Sequence, residues 1–501
     1  MAYATVTGYC WPQSIAAGAT VALHLSSAGG RPVTIEIARL GADRTVVWAE
    51  TVDAGDHPIP PDADAVGCDW PVATTVTAAA GWASGYYEVL LAIDVDGTER
   101  QNRAFFVVRP SDDSTNTILL QLTTNTWHAY NDFAGRNLYN GGTHVSLQRP
   151  MARGYLHKPQ GRGRRVTTTQ PPDPDMSAHI GYKQIHHLSA WAGSAGWPDW
   201  EWPFLAWAER HGYGIDVITN ADLEEHPSIV DRYRLLLSVG HDEYWSGPMR
   251  DTVEGFVARG GNVAFFSGNT SLWQVRMEEP VDGISTVMVG YKGHFKRDPV
   301  YGTDRICELT SIWSDHLIER PENEMTGVSF TRGGYHRIAK RVTNGAGGYT
   351  VFRPDHWIFD GTNVGYGDVL GAEATTVGYE CDGCEYATID GLPHPTGRDG
   401  TPASFEILAM VPAIHTTRAN ASRPPQPGEP TEIEFLAARV FGTRDESAIR
   451  RLSAGQAMLG TYTSPGGGTV ITSGSTDWAH GLAGRDPQVE RITANILDRL
   501  G

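Results

Sequence analysis

Between residues 201 and 268 apolar runs alternate with amphipathic ones at short spacing, and this alternation limits the possible folds more than any other feature. WPFLAWAERHGY places Phe204, Leu205, Trp207 and Ala208 on one helical face, and GIDVIT follows as a strand. NADLEEHP opens a short helix with Asn220 as its cap, and YRLLLSVG is a buried strand. SGPMRDTVEGFVARG reads as a helix capped by Ser246, with Pro248 in its first turn, and NVAFFSG as a further strand. Strands joined through helices by such short connections pair in parallel through right-handed crossovers. Ile118 to Leu122 predicts one more buried strand, TVITSGS another, and PQVERITANILDRL a closing helix with Val489, Ile492, Ile496 and Leu497 on one face.

Residues 1–112 read differently. VTIEIARL, YYEVLLAIDV and AFFVV are short β-branched and aromatic runs between turn residues, which predicts a β-sandwich of immunoglobulin type. The expected division is 1–112 as that sandwich, 113–280 with 430–501 as one α/β core, and 281–429 as a β-rich insertion. A long irregular stretch, including residues 157–175, is expected to run to about residue 180. With 40 Lys and Arg against 58 Asp and Glu the formal charge is −18, which argues against nucleic acid or an anionic membrane as partner. No apolar run is long enough to span a bilayer, and MAYATVTGYCWPQS lacks the basic and apolar regions of a signal peptide, so a cytoplasmic location is expected. Five cysteines are too few for a disulfide scaffold; pairing of Cys10 with Cys68 stays open, and the lone CDGC of Cys381 and Cys384 reads as a turn between strands.

Sites in open α/β sheets form beyond the carboxyl ends of the strands. Four such ends carry polar groups here: Thr124, Asn125, His128, Tyr130 and Asn131; His241, Asp242, Glu243 and Tyr244; Gly268, Asn269 and Trp273; and Ser473, Thr476, Asp477 and Trp478. GHDEYWS is the densest, and it suits a metal or a general base better than a helix start alone. HExxH, a P-loop, GxGxxG and GxSxG are absent, and no cysteine lies at an inferred strand end of the core, which disfavours a thiol nucleophile. Tyr130, Tyr139 and Tyr155 fall in the stretch between the first strand and the α/β run, where phenolates would suit a hard trivalent ion.

Together TNTWHAYN, NLYNGG, SLQRP, WAERHGYGIDVIT, YRLLLSVGHDEYWS, VARGGNVAFFSGN, PENEMTGVSF, VGYECD and SGSTDWAHGL resemble the large, catalytic subunit family of N,N-dimethylformamidase over residues 115 to 500. The resemblance implies a core of class I glutamine-amidotransferase-like type and an amidohydrolase acting on a linear C–N bond of a small N-substituted, formamide-like amide. It implies a ferric ion (Fe3+) held by Glu243, Tyr130 and a second tyrosine, Tyr155 or else Tyr139, with iron-activated water attacking the carbonyl. It further implies catalytic roles for His241, Asn269, Lys292 and Glu380: Glu380 or His241 moves a proton, and Asn269 donates to the oxyanion. Trp127, Trp245 and Trp273 are expected to wall off water. The expected partners are the small-molecule amide and a second copy of the chain or a small companion subunit, with no nucleic acid and no membrane. The alternatives are a non-catalytic binding or surface module on an enzyme-like core, and a zinc-dependent (Zn2+) hydrolase of another substrate class.

Overall fold

The computed structural model describes residues 5–158, 183, 185–338, 342–343, 345–420, 426 and 428–501. From 159 to 182 the irregular stretch expected from the sequence lies outside the described residues.

The centre is a nine-stranded sheet. Its strands in chain order are β1 (Ile118–Leu122), β2 (Ile215–Thr219), β3 (Leu235–His241), β4 (Asn262–Gly268), β5 (Tyr349–Val351), β6 (Val369–Leu370), β7 (Glu406–Ala413), β8 (Gly455–Thr463) and β9 (Thr469–Thr472). Their order across the sheet is β2-β1-β3-β4-β9-β8-β7-β5-β6. The first five pair in parallel. From β9 onward every pairing is antiparallel. Three strands, β5, β6 and β7, come from the stretch 281–429 that the sequence set apart as an insertion. Periodicity marks a strand, but it does not say which distant edge that strand will join.

The parallel strands are apolar almost throughout because both faces are covered. Helices α1 (Thr124–Tyr130), α2 (Glu201–Arg210), α3 (Gly247–Ala258), α4 (Glu432–Phe441), α5 (Trp478–Gly484) and α6 (Pro487–Leu500) provide much of the cover. Successive strand side chains point to opposite faces. Leu237, Val239 and Phe266 pack with Phe204 and Trp207 of α2 and with Ile492 and Ile496 of α6. Leu236, Val263 and Phe265 pack with Met249, Val253 and Phe256 of α3 on the other face. The Ser246 hydroxyl caps α3 by accepting from the Met249 amide at 3.3 Å, with Pro248 in the first turn. Among the described residues no helix is long and apolar enough to cross a membrane.

Residues 6–109 form a three-stranded and a five-stranded sheet, and Leu23 and Leu25 of one share an apolar core with Ile35, Val89 and Phe106 of the other. This unit docks on the β2 edge. Ser84 Oγ accepts from the Val217 amide at 2.8 Å, and Arg109 meets Asp222 at 3.2 Å. Tyr86 stacks on Trp197 with ring centres 4.1 Å apart. Cys10 and Cys68 are both free thiols and buried.

A separate four-stranded sheet (His144–Ser146, Ile284–Val289, Trp273–Val281 and Tyr244–Ser246) stands at the carboxyl end of the parallel strands. Its short strand Tyr244–Ser246 leaves β3 almost at once and pairs in parallel with Trp273–Val281. Nearby, Glu380–Gly383 is a strand paired antiparallel with Ser329–Tyr335, not the turn that CDGC suggested. Gly and Asp are depleted in strands, so tertiary pairing has to make this segment extended.

Candidate functional site

β3 ends at His241, and Asp242 and Glu243 of GHDEYWS follow it before the short strand Tyr244–Ser246 begins. Gly240 has a left-handed φ of 87°, and a side chain there would meet Trp200 Cβ at 2.5 Å, so glycine is required. His241 and Glu243 then face one pocket of polar groups. Asp242 turns away and is held by Gln121, by Ser238 Oγ at 2.7 Å and by Asn220 Nδ2 at 3.3 Å. Burial pushes its carboxyl up to about 6. Asp242 therefore ties the strand ends together, while His241 and Glu243 reach the site.

His241 is fully buried. Its Nδ1 lies 2.6 Å from the Ser194 carbonyl oxygen, and its Nε2 lies 2.6 Å from Glu380 Oε2 and 3.3 Å from Glu243 Oε2. A carbonyl and two carboxylates accept only, so both ring nitrogens carry protons and the ring is an imidazolium. Burial opposes that charge, but Glu380 with Glu243 outweighs it and holds the imidazole well above its usual pKa. Asn269, just past β4, donates from Nδ2 to Glu380 Oε2 at 3.0 Å and lies 3.3 Å from His241 Nε2. Its own Oδ1 is buried without a hydrogen-bond partner among the described residues.

The second half of the site centres on Glu243. The Tyr139 hydroxyl lies 2.7 Å from each carboxylate oxygen, and Trp273 Nε1 donates to Oε1 at 2.8 Å. Tyr244 donates to the Tyr139 hydroxyl at 2.8 Å, and Lys292 Nζ donates to the Tyr244 hydroxyl at 2.7 Å. The ammonium also sits 3.3 Å from the centre of the Tyr139 ring and 4.6 Å from that of Trp273. Burial pulls Lys292 down to about 7, against the raising influence of Glu243 and Glu380. Lys292 and Asn269 both have left-handed backbones, with φ of 52° and 51°, a conformation uncommon for lysine and better tolerated by asparagine.

His241, Asn269, Lys292, Glu380, Glu243 and Tyr130 therefore lie together, with Tyr130 stacked on Tyr139 at 4.2 Å. Tyr155 does not touch Glu243. It is buried, and its hydroxyl donates to the Tyr130 carbonyl oxygen at 2.6 Å, a backbone contact. Tyr139, not Tyr155, is the tyrosine whose hydroxyl meets Glu243. Of the three tryptophans expected as a wall, only Trp273 touches the site. Trp127 packs edge-on against Phe105, and Trp245 belongs to the opposite core with Phe265. His128 pairs with Gln13 at 2.9 Å, and burial drives its pKa down to about 3. Thr476 and Asp477 act as supports: the Thr476 amide donates to the Glu380 carbonyl at 3.1 Å, and Asp477 accepts from Trp200 Nε1 at 2.9 Å. Sequence reasoning gave no role at the site to Tyr244 or Ser194; Tyr244 stood in the GHDEYWS cluster, whereas a backbone carbonyl leaves no sequence signal.

The metal centre expected on Glu243, Tyr130 and Tyr155 does not fit, and this corrects the iron, zinc and tyrosine-ligand expectations together with the metal-activated hydrolysis built on them. Among the described residues no group of three or more His, Cys, Asp or Glu side chains is placed to hold a metal ion. Both Glu243 oxygens are already taken by phenol, indole and imidazolium donors. Tyr155 is committed to a main-chain carbonyl. Burial, reinforced by Glu243, holds the Tyr130 and Tyr139 phenols well above their usual pKa.

Residues 34–491 match the family model described as N,N-dimethylformamidase beta subunit-like, C-terminal. The chain is 25% identical over 480 residues to the N,N-dimethylformamidase beta subunit of Paracoccus aminophilus, covering 86% of this chain and 54% of that protein. It is likewise 25% identical over 482 residues to the beta subunit from Alcaligenes sp, with the same coverage of 86% and 54%. The chain thus spans about half the length of the curated relatives it matches. A solved family 123 glycoside hydrolase from Clostridium perfringens overlays with a TM-score of 0.13 at 7% identity, over 53% of this chain and 72% of that one, too slight a likeness to carry an argument. These matches are to a beta subunit-like family, which corrects the expected assignment to a large, catalytic subunit family.

Proposed function

Since the chain belongs to the N,N-dimethylformamidase beta subunit-like family, we propose that it is a hydrolase of a linear C–N amide bond in a small substrate, with His241, Glu380 and Asn269 as its working groups. The observation that carries the reading is the imidazolium of His241 clamped by Glu380 at 2.6 Å beyond the parallel strand ends, with the Asn269 amide alongside. Both contacts of the Glu380 carboxylate fall on Oε2. Oε1 is the atom that takes a proton from water as its oxygen adds to the amide carbonyl carbon. The Asn269 Nδ2 proton that is not given to Glu380 donates to the developing oxyanion, and the positive charge of the neighbouring His241 ring lowers its energy. The tetrahedral centre then collapses with cleavage of the C–N bond, and Glu380 returns the proton to the leaving nitrogen, giving acid and amine. Tyr139, itself held by Lys292 through Tyr244, fixes Glu243, which in turn helps keep His241 charged.

The test is amine release from a panel of N-substituted formamides and larger linear amides. Glu380→Gln is expected to lower turnover at least roughly 100-fold, in the range set by general acid–base groups. Full turnover in Glu380→Gln, or no hydrolysis of any amide by the unaltered chain, would refute the proposal.

A further inference from the structure

One strand, Glu380–Gly383, sends two carboxylates to the same place. Glu380 and Asp382 are two residues apart on extended backbone and so share a side. Glu380 accepts from the Asn269 side chain, whereas Asp382 meets the Asn269 main chain. Asp382 Oδ1 accepts from the Asn269 amide at 2.9 Å, and Oδ2 accepts from the Thr270 amide at 3.1 Å. Asp382 is fully buried. The segment it holds is unusual: Asn269 and Ser271 both have left-handed φ, at 51° and 56°. Just before them, Gly268 passes so close to the neighbouring backbone that a Cβ would lie 2.4 Å from the Thr476 nitrogen and 2.5 Å from the Glu380 carbonyl oxygen. A turn of this shape has amides that point inward and need an acceptor, because a buried N–H without a partner is costly.

We infer that Asp382 is a positioning residue: its two-pronged hold on the Asn269 and Thr270 amides fixes the left-handed turn that aims the Asn269 carboxamide at His241 and Glu380. The inference rests on the proposed role of Asn269 and adds to it the group that presents this side chain. Because Glu380 and Asp382 share a strand, the base and the oxyanion donor are set in register by a single element. A general packing role would affect stability alone, whereas a positioning role acts on turnover only through Asn269.

The experiment compares Asp382→Asn, Asn269→Ala and the double variant, with thermal melts alongside. Asp382→Asn retains one acceptor and the side-chain volume, and turns an N–H donor towards one backbone amide. Its kcat is expected to fall at least 10-fold with KM within 3-fold, and adding it to Asn269→Ala is expected to lower kcat less than 2-fold further. Effects that multiply in the double variant, or an unchanged kcat in Asp382→Asn while Asn269→Ala is impaired, would overturn the inference. An Asn269→Ala variant with full activity would instead refute the proposed role of Asn269. Amide hydrogen exchange gives a readout independent of activity. The Asn269 and Thr270 amides are expected to be protected in the unaltered chain and to exchange at least 10-fold faster in Asp382→Asn, and unchanged protection of both would overturn the inference.

Discussion

Glu201 is the first residue of α2, it is fully buried, and its ionisation sets a pH-dependent stability that can be measured by itself. Its Oε1 accepts from Thr123 Oγ1 at 2.6 Å and from Trp127 Nε1 at 3.1 Å, and its Oε2 has no hydrogen-bond partner among the described residues. Burial dominates these contacts and pushes the carboxyl from 4.5 up to about 8. Between those values the folded chain holds a proton that the unfolded chain has lost, so stability falls as pH rises. The contribution is whole below about pH 4.5 and is lost as pH passes through about 8, with a slope of at most about 1.4 kcal/mol per pH unit. The full penalty is of the order of 5 kcal/mol at high pH. Glu201→Gln keeps the shape and the Oε1 acceptor but cannot ionise. Melting both proteins from pH 5 to pH 9 is the assay, and the difference between them cancels the titration of every other group. The variant's melting temperature relative to the parent is expected to rise with pH by roughly 5 °C over the range. A difference that stays constant with pH would refute the reasoning, because Glu201 would then be ionised in the fold across the whole window.

Two further outcomes follow from the packing around the site. Gly268→Ala is expected to cost about 2 kcal/mol or more and to depress turnover, since the added methyl overlaps the Thr476 nitrogen and the strand carrying Glu380; melting and amine-release assays check both, and an alanine tolerated on both counts would show that the backbone crossing is looser than described. Tyr155→Phe is expected to lose about 1 kcal/mol of stability with turnover within about 2-fold, because the hydroxyl serves the Tyr130 carbonyl, which also accepts from Asn137 Nδ2 at 2.8 Å; a collapse of turnover without a fall in melting temperature would place Tyr155 in the working site.

The alternation of periods between residues 201 and 268 fixes its elements locally, because apolar spacing, the Ser246 cap and Pro248 each act within a few residues. His241 and Glu243 were legible for the same reason. They sit at the carboxyl end of a buried strand, where the chain turns both to one side and Asp242 to the other. The choice of Tyr139 over Tyr155 was not legible, since both lie in irregular backbone, and it is long-range contact that sets Tyr139 against Trp191, Glu243 and Lys292 and Tyr155 against the Tyr130 carbonyl. Nor could local pattern reveal that β5, β6 and β7 join the central sheet, or that Glu380–Gly383 is extended. Those features arise from pairing across long sequence separations, and the same pairing decides the chemistry. Sequence supplied a histidine and carboxylates; tertiary structure closed Glu380, Tyr139 and Lys292 around them, and there burial and the charges of neighbours determine which groups hold protons.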